Sequence, residues 1–153
     1  MPPPRLSFVI LFVLIAVGGG SLLGWFFRPD AWFAGLAKPW FNPPGWLFAP
    51  VWTMLYVLIG IAGARVWTMS REGYLRILWI VQMILNFMWT PTFFGAHRPG
   101  WALVIIILLW LVIVGFARRA WRHERTSGVL FLPYIAWVSF ATCLNAAIWR
   151  LNM

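Results

Sequence analysis

The chain has 153 residues, 63% of them hydrophobic and only 10% charged, with a mean hydropathy of +0.84. A soluble domain is roughly half apolar and about a quarter charged, so these proportions exclude one and make lipid the main solvent. The net charge of +9 would suggest nucleic acid in a soluble protein, but here the basic residues are strung between apolar runs. That placement argues against nucleic acid and for anionic membrane lipid as the partner.

Uncharged apolar runs of about 20 residues read as membrane-spanning helices, and five follow in order. The first, residues 6–27, lies between Arg5 and Arg28. It is too long, and too aromatic after its small residues, for a cleaved signal peptide, so it is expected to stay as a span. Its Gly20-Ser-Leu-Leu-Gly24 pattern suits close helix packing. A proline- and tryptophan-rich loop, residues 28–44, comes next. It is long for a compact bundle, as lids and binding loops tend to be. Asp30 is placed to cap a short helix over residues 31–37 and to turn Trp32 and Phe33 onto the bundle. The second span, residues 45–64, ends at Arg65; the third, residues 77–96, starts after Arg76. The fourth, residues 101–117, is the shortest, with Pro99 and Gly100 available for one more turn. The fifth, residues 128–149, lies between Arg125 and Arg150. Each run is too long for a membrane β-strand and lacks alternation. The predicted fold is therefore an all-α membrane protein, a single five-helix transmembrane domain over residues 1–153. Pro50, Pro91 and Pro133 lie inside runs and are expected to kink them, opening space between helices.

Eight of the twelve basic residues, Arg5, Arg65, Arg71, Arg76, Arg118, Arg119, Arg122 and Arg125, fall on one side; Arg28, Lys38, Arg98 and Arg150 fall on the other. The positive-inside rule then places the N-terminus in the cytoplasm and the 28–44 loop outside, for a bacterial inner rather than outer membrane. The acids Asp30, Glu72 and Glu124 all lie outside the runs. Without buried charge, an ion-coupled pump or voltage sensor is disfavoured, and no acid–base catalytic set can be assembled. No internal repeat supports an inverted-repeat transporter. His97 and His123 lack companions at ligand spacing, so no metal site is expected. The lone Cys143 makes no intrachain disulfide.

Three runs carry aromatic and weakly polar residues at helical spacing. These are Phe48, Ala49, Trp52 and Tyr56 in the second; Trp79, Gln82, Asn86, Trp89 or Thr90, and Phe93 in the third; and Tyr134, Trp137, Ala141, Leu144 and Asn145 in the fifth. Amides in lipid need partners, so Gln82, Asn86 and Asn145 are expected to face inward. Such stripes serve either as interhelical glue or as the wall of a mostly apolar pocket with a few polar groups. Trp25, Trp101, Trp121 and Trp149 near run ends read as interface anchors.

Several segments taken together resemble the TspO/MBR family, the tryptophan-rich sensory proteins and translocator proteins also called peripheral-type benzodiazepine receptors. They are WFAGLAKPWFNPP at 32–44, PVWTMLY at 50–56, LNFMWTPTFFG at 85–95, GWALV at 100–104 and PYIAWVSFATCLNAAIWRLN at 133–152. The resemblance implies a five-helix bundle, a homodimer, and a cavity under the first loop for porphyrins such as protoporphyrin IX and for synthetic drug ligands. Carried over position by position, it implies Trp32 from the loop and Phe48, Ala49 and Trp52 from the second helix. It adds Asn86 and Phe93 from the third, Trp101 and Leu108 from the fourth, and Trp137, Ala141 and Leu144 from the fifth. Periodicity had selected most of these independently, but gave no lead on the fourth helix. Two departures count. Ala146 stands where sterol-binding members carry a tyrosine, which lowers the case for sterol. Asn42 stands where mitochondrial members can carry a histidine, which favours metal-free porphyrin held by stacking, with its propionates within reach of Arg28 or Lys38.

Three functional readings stay open at this level. One is a binding and sensing protein for porphyrins in tetrapyrrole homeostasis or stress signalling, with no obligatory cofactor. A second is a light-dependent porphyrin-degrading enzyme, in which Trp52 and Trp137 would donate electrons or quench. The third is a facilitated transporter of porphyrin or sterol.

Overall fold

The computed structural model describes residues 2–153. Five long helical segments, each apolar enough to cross a membrane, make an all-helical bundle, and no strand occurs among the described residues. Helix α1 covers Leu6–Phe26, and the short α2 covers Ala31–Gly35. A tight turn, Gly45–Leu47, leads into α3, Phe48–Met69. Helix α4, Gly73–Thr90, continues into a wide turn, Pro91–Gly95. Helix α5 covers Pro99–His123, α6 covers Arg125–Leu130 and α7 covers Leu132–Leu151.

The helices overrun the uncharged runs, because a charge that reaches water or a partner ends the apolar stretch and not the helix. Arg65 does not stop α3, since Glu124 neutralises it at 2.7 Å and the helix continues to Met69. Arg76 does not delay α4, since its guanidinium donates to the Trp67 and Ser70 carbonyls at 3.3 and 3.1 Å. Two of the three expected proline kinks are not formed. Pro50 and Pro133 sit in the first turns of α3 and α7, where a missing N–H leaves no bond unmade. Pro91 alone lies mid-segment. There the N–H of Ala96 reaches back five residues to the Pro91 carbonyl at 2.8 Å, giving the wide turn.

Helix α1 runs along α3, and α5 lies between α4 and α7. Lipid tails are as apolar as leucine, so tight packing and buried polar contacts hold such a bundle together. Gly60 lets α3 approach the Val13 backbone of α1, where any Cβ would overlap it. Gly19 and Gly20 seat the rings of Phe87 and Tyr56, whereas Gly24 meets no neighbour, so only half of the small-xxx-small pattern is used for packing.

At the end of the bundle away from α2, Arg65 forks onto both oxygens of Glu124, which also accept from the Ser127 N–H at 2.7 Å and from the Ser127 hydroxyl. Burial pushes the Glu124 carboxyl up, but the Arg65 and Ser127 bonds outweigh it and hold it below the usual glutamate range. Arg119 bonds Glu72 at 2.8 Å and lowers that carboxyl too. These pairs clamp α3, α4, α5 and α6 together at this end.

Candidate functional site

The opposite end is built around aromatic side chains. Asp30 caps α2 by accepting from the Phe33 N–H at 3.2 Å, as its position before the short helix predicts. That cap turns Trp32 and Phe33 down, and both meet Phe93 edge-on, at 5.9 and 6.1 Å between ring centres. Phe93 is 2% exposed, stacks on Trp89 at 5.1 Å, and shares a cluster with Ala102, Leu144 and Ile148. Beside this group, Phe48 meets Trp137 edge-on at 5.8 Å, and Trp137 tilts against Phe140 at 5.5 Å. Trp52 lies deeper, 5.5 Å from Tyr56 and 6.3 Å from Tyr134. Trp52, Trp137 and Ala141 are half-buried against the main core.

The structure thus brings together Trp32, Phe48, Phe93, Trp137, Ala141 and Leu144, with Trp52 beneath. It does not bring Ala49, Trp101 or Leu108 to them. Ala49 is exposed, and Trp101 and Leu108 are 67% and 46% exposed on the outer face of α5. Asn86 is buried, but its carboxamide is engaged: it accepts from the Tyr56 hydroxyl at 2.8 Å and donates to the Tyr134 hydroxyl at 2.6 Å. Tyr134 in turn donates to Gln82 at 2.9 Å. Asn145 links Trp89 to the Pro99 carbonyl at 3.0 and 2.8 Å. The inward amides are therefore glue, tying α3, α4, α5 and α7.

Trp137 behaves differently. Its indole N–H is buried and has no partner among the described residues, and the carbonyl oxygen of the Asn42 side chain in the loop above is in the same condition. Buried polar atoms are nearly always bonded; Gln82 Nε2 and Arg76 Nε are likewise without a partner, and of these four atoms Trp137 Nε1 is the one carried by a ring of the aromatic cluster. Two open grooves, of about 580 and 260 Å³, lie elsewhere. Lys38, Pro39, Trp40, Ala147, Arg150 and Leu151 line the larger, and neither takes in a candidate residue. The rings of Trp32, Phe33 and Phe93 meet below the loop, with Phe48 and Trp137 beside them.

Two cations at this end are engaged by the protein itself. Lys38 folds back onto the Phe33 and Leu36 carbonyls at 2.7 and 3.1 Å, capping α2. Arg28 bonds the Trp25 carbonyl at 3.0 Å and covers that indole ring. The guanidinium groups of Arg98 and Arg150 have no hydrogen-bond partner among the described residues, although the Arg98 backbone N–H donates to the Thr92 carbonyl at 3.1 Å. Two residues outside the sequence-selected set complete this end. His97, at φ 55°, stacks flat on Trp32 at 4.2 Å, and Asn152 bonds the loop backbone. Neither stands on an apolar stripe, so periodicity offers no signal for them.

An integral, multi-pass membrane protein, a five-span helical bundle whose first loop packs on an aromatic cluster, is the class this fold defines. The family model "TspO/MBR family" matches residues 11–150, and the chain belongs to that family. Protein CrtK of Rhodobacter capsulatus is 40% identical over 95% of this chain and 92% of its own length. The tryptophan-rich sensory protein of Cereibacter sphaeroides is 37% identical over 94% and 91%. The translocator protein of Sus scrofa is 35% identical over 99% and 94%.

Proposed function

We propose that the chain binds and senses flat lipophilic ligands of the protoporphyrin type, between the first loop and the aromatic ends of α3, α4 and α7. The observation that carries this reading is Trp137: a large flat ring, half-buried against Phe48 and Phe140, whose N–H is buried without a partner. Stacking on Trp137 and the neighbouring rings supplies affinity, and the indole N–H supplies an acceptor-seeking donor. Metal-free protoporphyrin IX matches both, with a flat apolar macrocycle and polar edges. The reading includes a cytoplasmic N-terminus in a bacterial inner membrane, supported by the distribution of basic residues, and a homodimer, supported by the family. The names of the relatives speak for sensing in Cereibacter sphaeroides and for translocation in Sus scrofa.

The test is a dark titration of the purified protein with protoporphyrin IX, followed by tryptophan quenching. Trp137→Phe keeps the flat face and loses the N–H, so affinity falls by about five-fold; Trp137→Ala loses both, for a fall of about ten-fold or more. Equal affinity in all three proteins would remove the site. Illumination of the same samples separates binding from chemistry. Loss of the Soret band with a defined product, abolished in Trp52→Phe or Trp137→Phe, would make the protein an enzyme.

A further inference from the structure

We propose that Asn152 and His97 are the gate of this site: two latches that hold the first loop down, so that ligands exchange only as fast as the latches open. The consequence for ligands rests on the binding function proposed above; the latching itself does not.

Asn152, just past α7, makes a two-way bond with one residue of the loop. Its Oδ1 accepts from the Ala37 N–H at 2.9 Å, and its Nδ2 donates to the Ala37 carbonyl at 2.9 Å. The same Nδ2 donates to the Ile148 carbonyl at 2.7 Å, which fixes the carboxamide to its own helix. A side-chain amide offers a donor and an acceptor on one edge, as a neighbouring strand would; a carboxylate or a methyl group cannot. At the other end of the loop, His97 Nε2 lies 3.0 Å from Asp30 Oδ2, and its ring covers Trp32 at an interplanar angle of 16°. The left-handed backbone at His97 follows the wide turn, and Arg98 N–H to Thr92 O at 3.1 Å holds it there. The imidazole is thereby held on the first turn of α2.

Apart from Arg28, which bonds the Trp25 carbonyl of α1, the remaining side-chain bonds of the loop are internal. Asp30 caps α2 from one end and Lys38 from the other. Breaking both latches therefore leaves apolar packing alone to hold a flap that keeps its own shape, with Pro29 on one flank and Pro43 and Pro44 on the other. The latch bonds to Ala37 and Asp30 are exposed, so water replaces them at little penalty. The flap must move for a macrocycle to enter, because Trp32, Phe33 and Leu36 pack onto the Phe93 cluster. The Arg65–Glu124 and Arg119–Glu72 clamps close the far end.

The experiment uses the full chain in lipid nanodiscs, with Cys143→Ser to remove the native thiol and Leu36→Cys as a reporter on the inner side of the flap. Without ligand, the rate of maleimide modification reads flap opening. Asn152→Ala and His97→Ala each raise it by roughly ten-fold, and the double variant raises it further. Asn152→Asp, nearly the same shape, raises it as well, because its second oxygen faces the Ala37 carbonyl. In stopped-flow with protoporphyrin IX, association and dissociation rates rise together while the dissociation constant stays within about two-fold. Unchanged cysteine reactivity in the double variant overturns the latch. Faster modification with unchanged exchange rates overturns the gate and sends the ligand between helices from the bilayer. Faster modification with no porphyrin binding in any variant keeps the latch and rejects the ligand reading instead.

Discussion

Replacing Tyr134 by phenylalanine tests how the polar chain inside the bundle contributes to stability. Tyr134 is fully buried, and its hydroxyl both accepts from Asn86 at 2.6 Å and donates to Gln82 at 2.9 Å. Phenylalanine preserves the ring packing against Phe131 and Trp52 and strands two buried groups, one donor and one acceptor. Each stranded group costs about 1–3 kcal/mol in a dry interior. Polar contacts within membrane bundles average nearer ~0.6 kcal/mol, because the unfolded chain in detergent also finds partners. The expected loss is therefore about 1.5–4 kcal/mol. Tyr56→Phe strands only the Asn86 oxygen and should cost about half as much. Gln82→Leu added to Tyr134→Phe removes one stranded acceptor, together with an amide nitrogen that already lacks a partner, and should recover part of the loss. Reversible unfolding in mixed dodecyl-maltoside and SDS micelles measures all four proteins. The reasoning fails if Tyr134→Phe costs no more than Tyr56→Phe, or if Gln82→Leu deepens the loss.

Gly20→Ala places a methyl group in the Tyr56 ring, so Tyr56 must shift and release Asn86. A loss of about 1–3 kcal/mol is expected, against under 0.5 for Gly24→Ala in open space, on the same unfolding assay. Glu124→Gln removes the charge from a pair whose side chains are 7% and 20% exposed, and should cost about 2–4 kcal/mol, somewhat below the fully buried range because Arg65 reaches solvent. Because the folded Glu124 carboxyl lies below its ordinary range, its stabilising contribution is complete above that range and is lost as pH falls through it. The wild-type melting midpoint should drop below about pH 4.3, and Glu124→Gln should lose its share of that drop while Asp30 and Glu72 keep theirs. A C-terminal alkaline phosphatase fusion in a bacterial host should be active and a C-terminal GFP fusion dark; the reverse pattern would overturn the orientation read from the basic residues.

The helices were legible because lipid imposes one demand on every span, an uncharged run of sufficient length, and that demand is local in sequence. Their ends were not, because an arginine marks the end of an apolar run and not of a helix, and its partner can be far away in sequence. Glu124 lies 59 residues from Arg65. The inward stripes were legible for a similar reason: an amide in lipid must turn toward a partner, and Asn86, Gln82 and Asn145 do so. What periodicity does not encode is which inward group is left unsatisfied. Asn86 and Trp137 look alike on a helical wheel, yet one is bonded on both edges and the other is orphaned.

The fourth helix and the loop mark the limit of that reading. Trp101 and Leu108 entered the candidate set through resemblance alone, and they stand exposed on the outward face of α5. The loop contacts escape periodicity altogether. Asp30 and His97 are 67 residues apart, and Ala37 and Asn152 are 115 apart; none of the four lies on an apolar stripe. An aromatic loop beside a membrane needs only a few such polar bonds to choose one resting position over many, since its rings would bury equally well in several. The apolar content of the loop places it at the bundle surface. Where it rests, and how readily it leaves, is decided by one carboxamide and one imidazole.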